Sequence, residues 1–179
     1  MRNLLNNLYR LGGLLSALHL TAIMLLIVLQ VLGRVLDKLL LWVGFNPLGL
    51  HLPGLAEISA FLLLGATFFG LAYTFWQGGH IRVTLIIQRL PLGLQRWLDS
   101  LMLLIAMAIT GFALGFSVLL ALDSYAYGDL SIGMVPVPLW IPQVGMSLGL
   151  LWLFIALTDA LFSLLSGRIT QLNTDAAQE

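Results

Sequence analysis

The sequence predicts an all-α integral membrane protein with four transmembrane helices. Three observations carry this. First, 60% of the 179 residues are hydrophobic and only 9% are charged, with mean hydropathy +1.00, where soluble domains hold about 25% charged residues. Second, Ile58 to Ile81 contains no Asp, Glu, Lys or Arg, and at about 1.5 Å per residue it reaches about 36 Å, beyond the hydrocarbon thickness of about 30 Å. Third, three further apolar runs are set apart by clusters of Gly, Pro and charge. Residues 1–179 therefore read as a single four-helix membrane domain.

The composition also excludes. Formal net charge is zero, so no nucleic acid or other polyanion is implied as a partner. There is no cysteine, which removes disulfides, thiolate metal sites and Cys-ligated clusters. Arg2 and Arg10 precede an apolar run in the manner of a signal peptide, but Leu11 to Gly33 exceeds the usual length of such a run and no convincing cleavage site follows. It is expected to stay as a span.

In order, Met1 to Arg10 places Leu4, Leu5 and Leu8 opposite Arg2, Asn3, Asn6 and Asn7, a short interfacial lead-in. Span 1 covers about 11–32. Arg34 to Val43 continues without Gly or Pro, and Asp37 and Lys38 mark this part as outside the hydrocarbon. Gly44-Phe45-Asn46-Pro47 breaks the helix, and Pro53-Gly54 closes the loop. Span 2 covers about 58–80, opening at Glu57 and ending at Gly78-Gly79-His80-Ile81-Arg82-Val83. Thr84 to Leu90 suits a second interfacial segment, and Pro91 suits the first turn of the next helix. Span 3 covers about 100–122, followed by a polar exit from Asp123 to Asp129. Pro136 and Pro138 force an extended approach to span 4, about 139–165, which tolerates Pro142 in its first turn. Residues 169–179 form a polar tail.

Orientation follows from Lys and Arg near the spans. Arg2, Arg10, Arg82, Arg89, Arg96 and Arg168 fall on the side of the termini, against Arg34 and Lys38 on the other. This predicts that both termini are cytoplasmic.

No residue set points to catalysis, and no metal or cofactor site is expected. Glu57 suits the positive end of a helix dipole; a contact with Arg34 or a partner protein is the alternative. His19, His51 and His80 fall at different depths, which disfavours a bis-histidine haem. His80 reads as an interfacial residue fixing the end of span 2. Arg82, Arg89 and Arg96 read as topology determinants and lipid-phosphate contacts, with partner docking as the alternative. Asp159 lies near the inner end of span 4, where snorkelling explains it. Gly111 and Gly115, Gly145 and Gly149, and Ala66 and Gly70 have the four-residue small spacing that lets helices approach closely. Arg96, Trp97 and Asp99 form the polar and aromatic collar of span 3, and Trp140 is a candidate partner or lipid contact at the start of span 4.

These features together resemble a known family. Arg34 follows span 1, Glu57 opens span 2, Gly65-Ala66 lies within it, and it runs into Gly-x-His-Ile-x-Val at 78–83. Pro138-Leu139-Trp140-Ile141-Pro142-Gln143 and Met146-Ser147-Leu148-Gly149 follow. The pattern is similar to the small membrane (Q) subunit of tripartite ATP-independent periplasmic (TRAP) transporters, the DctQ family, over about residues 10–168. The chain departs from it at Thr84, where an Asp is common, in having one acid before span 2, and in a longer first loop. The resemblance implies a non-enzymatic subunit without cofactors in a bacterial inner membrane. Its partners would be a large multi-span membrane subunit that holds the substrate and coupling-ion sites, a periplasmic binding protein, and lipids. Uptake would be ion-driven, for a small carboxylate-bearing solute. The competing readings are a haem-bearing electron-transfer subunit and a self-sufficient small transporter.

Overall fold

The structure, a computed structural model, describes residues 2–49, 53–77 and 91–166. Among these residues there are four helices: α1 (Arg2–Val43), α2 (Leu55–Trp76), α3 (Leu92–Tyr127) and α4 (Trp140–Leu165). All four are long and apolar enough to cross a membrane. The expected second interfacial segment, Thr84 to Leu90, and the polar tail lie outside the described residues.

The helix ends follow local chemistry. α1 is one unbroken helix of 42 residues: span 1 runs on through Arg34 to Val43, as the lack of Gly and Pro there leads one to expect, and the lead-in joins the same element. Nothing interrupts it before Gly44, whose φ of +89° leaves the helical region. α2 starts after Gly54 and is described to Trp76; the expected end of the span at His80 lies outside the described residues. Gln77 caps it, donating its N–H to the Tyr73 carbonyl at 2.9 Å. Pro91 precedes α3 as its N-cap, with ψ +145°, one position earlier than expected. α3 takes in most of the expected polar exit, because the first residue free to leave the helix is Gly128, at φ +67°. Pro142 sits in the first turn of α4, where a missing N–H costs nothing.

The helices stand side by side in the order α1–α2–α4–α3, with only a light contact between α1 and α4. We call the end near Tyr9 and Trp76 the terminal side and the opposite end the loop side. On the terminal side Tyr9, Ala72 and Ala156 form a buried cluster with Leu5, Trp76 and Trp152. Leu103, Leu157 and Leu164 form the core between α3 and α4.

On the loop side, the connection from α3 to α4 is a clip. The Ser131 N–H donates to the Val137 carbonyl at 2.9 Å, the Leu139 N–H to Asp129 at 3.0 Å, and the Val137 N–H to Ser131 Oγ at 3.0 Å. The paired prolines leave few other donors, so these bonds fix the turn.

Helix seams and the loop-side surface

The α1–α2 seam is built on small residues facing polar ones. The Ser16 hydroxyl donates to the Ala66 carbonyl on α2 at 2.7 Å. Gly70 makes room for Ser16; a Cβ there would meet Ser16 Oγ at 3.0 Å. His19 Nδ1–H donates to the Leu15 carbonyl one turn back, at 2.7 Å. Its ring then lies over Gly65, where a Cβ would meet Nε2 at 2.7 Å, and 5.6 Å from the Phe69 ring. His19 thus faces a glycine and a phenyl ring. Gly12 and Gly13 complete the seam: Cβ atoms there would meet the Phe69 carbonyl at 2.7 Å and the Tyr73 ring at 2.8 Å.

The glycine pairs named from sequence divide. Gly149 lets α4 approach α2 closely, seated against the backbone of Phe68. Gly145 faces the edge of the Phe69 ring, which a Cβ would meet at 3.9 Å. Gly111 faces Phe154 across the α3–α4 seam, at 3.2 Å for a Cβ. Gly115 faces open space. The α3–α4 seam is instead bridged by Ser117 and Ser147, whose hydroxyls lie 3.0 Å apart and buried. Trp140 packs edge-on against Tyr125 at 5.7 Å, tying the loop-side ends of α3 and α4.

The charged candidates stand apart from one another. Glu57 reaches over the clip and its carboxylate rests on Gly133, with Oε2 buried and without a hydrogen-bond partner. The contact with Arg34 is therefore not made; Arg34 is exposed on the extension of α1. Asp37, buried on that same extension, was missed as a site residue. Its Oδ1 accepts the Leu48 and Gly49 N–H groups at 2.8 and 3.2 Å and folds the loop back onto α1. His80, Arg82, Arg89, His51 and Arg168 lie outside the described residues.

The sequence could have flagged Ser16, since Gly12 and Ser16 share the small spacing already noted elsewhere. It gave no sign of His19 over Gly65, because nothing in either helix names the other's register.

What these contacts do is join helices. Residues 23–167 match the family of tripartite ATP-independent periplasmic transporters, DctQ component. The chain belongs to this family. It is 29% identical over 121 residues to the ectoine TRAP transporter small permease protein TeaB of Halomonas elongata, a match covering 65% of this chain. The chain spans 63% of that relative's length. It is thus a TRAP-type small permease subunit and a multi-pass membrane protein.

Proposed function

We propose that this subunit enlarges the rigid scaffold of a TRAP transporter. It sits beside a large membrane subunit that carries the substrate and coupling-ion sites. A periplasmic binding protein delivers a small carboxylate-bearing solute, and an ion gradient drives uptake. The termini face the cytoplasm and the loop side faces the binding protein, where Glu57 and the clip contribute to the docking surface.

The observation that carries this reading is how the polar groups of the spans are engaged. The hydroxyls of Thr21, Thr74, Ser147 and Thr158 bond back to carbonyls of their own helices. Ser16 and Ser117 join helices. A charged solute group buried without a partner would cost several kcal/mol, and these hydroxyls, already engaged within and between the helices, are not held free to pair with one. Reconstituted uptake tests the reading. Transport is expected only with the large subunit and the binding protein present. Transport by this chain alone, or a point change here that switches the solute carried, would overturn it.

A further inference from the structure

The extension of α1 outruns the helix it packs on. His19 lies over Gly65, so in antiparallel register Leu55, the start of α2, lies level with about Leu29. About 14 residues of α1 continue past that point, roughly 20 Å of helix. The whole of α1, at 42 residues, is about 63 Å long, whereas a bilayer with its headgroup layers is about 40–45 Å thick.

The extension has three faces. Gly33 and Asp37 are buried on the side where the returning loop lies. Leu32, Val35, Leu36, Leu39 and Val43 are all exposed and recur at intervals of three and four residues, forming an apolar face. Trp42 joins this face and is 88% exposed. Arg34 and Lys38, one turn apart and both exposed, form an edge beside it. The one acid of the extension is turned inward onto backbone N–H groups of the loop, so the outer surface is apolar with a basic edge.

We propose that this extension is an interfacial anchor. It lies tilted in the headgroup layer on the loop side, its apolar face toward the acyl chains and Arg34 and Lys38 on lipid phosphates. Length and charge favour lipid as the occupant. Standing upright, the extension would hold its apolar face in water. Tilted, it sinks that face, and two basic side chains reach anionic headgroups by snorkelling. A Trp near the tip suits the same layer.

The absence of cysteine allows a direct test. A spin label on Leu39→Cys is placed in the full chain, co-purified with the large subunit and reconstituted in bilayers rich in phosphatidylglycerol. Ile132→Cys, in the exposed clip, is the aqueous reference. Oxygen in the bilayer is expected to reach the Leu39 label freely. Collisions with a water-soluble nickel complex should be several-fold fewer there than at Ile132. Phosphatidylcholine bilayers should bring the label closer to water, and Arg34→Gln with Lys38→Gln should abolish that lipid dependence. A Leu39 label as open to nickel as the reference would overturn the anchor. So would protection from both reagents, which would mean that protein covers the face. Equal depth in both lipids would remove the headgroup contact.

Discussion

Gly149 and Gly115 show why residue spacing alone does not identify a contact. Each belongs to a Gly-x-x-x-Gly pair, yet Gly149 sits on the Phe68 backbone and Gly115 on nothing. A Cβ at Gly149 meets backbone, which cannot swing aside, so α4 and α2 must separate. Overpacking of this kind costs about 1–3 kcal/mol. Gly149→Ala is therefore expected to lower the thermal midpoint of the purified subunit, while Gly115→Ala leaves it unchanged or raises it. Equal loss in both would contradict the seam. Glu57 and Gly133 offer a second test at this scale. In Gly133→Ala the new methyl collides with the carboxylate of Glu57, the movable end of a flexible side chain. Glu57→Ala should then suppress most of the cost of Gly133→Ala, with a coupling of about 0.5–3 kcal/mol for residues in contact. Strict additivity would show that the two do not touch.

Among elements, the α1–α2 seam separates a hydrogen bond from a steric fit. The Ser16–Ala66 bond is worth about 0.6 kcal/mol by comparison with other membrane helices. The His19 ring is held by Leu15 and flanked by Phe69, so it has little freedom to leave Gly65. Gly65→Ala is accordingly expected to destabilise more than Ser16→Ala in chemical denaturation of the detergent-solubilised subunit. A larger effect of Ser16→Ala would make the hydrogen bond, not the close approach, the basis of the seam. The sequence announced four helices, because charge is excluded from the hydrocarbon and clusters where chains leave it. It did not announce their order. α2 and α4 are apolar on every face, so no stripe marks which side meets a neighbour. The role of Asp37 was hidden for a related reason: its partners are backbone N–H groups at Leu48 and Gly49, and a backbone donor carries no residue signature. The full lengths of α1 and α3 were legible in principle, since no breaker precedes Gly44 or Gly128.

For the whole molecule, alternation of four helices puts the N-terminus of α1 and the C-terminus of α4 on one side, and the two loops 44–54 and 128–139 on the other. Which side faces the cytoplasm is then a single binary choice. The basic residues argue for the terminal side, by six to two. The two exceptions, Arg34 and Lys38, lie together on the extension of α1, where a tilted helix keeps them at the headgroups. Basic residues near span ends resist translocation during insertion, so an inverted chain would carry six of them across to keep two inside. We therefore expect Ile132→Cys to react with an impermeant maleimide in intact cells from which the outer membrane has been removed. Gln178→Cys should react only after the inner membrane is permeabilised. The clip residue is a sound reporter, because its side chain is fully exposed. Labelling of Gln178→Cys in intact cells, with Ile132→Cys protected, would invert the orientation. The Glu57 clip would then face the cytoplasm, out of reach of any periplasmic partner.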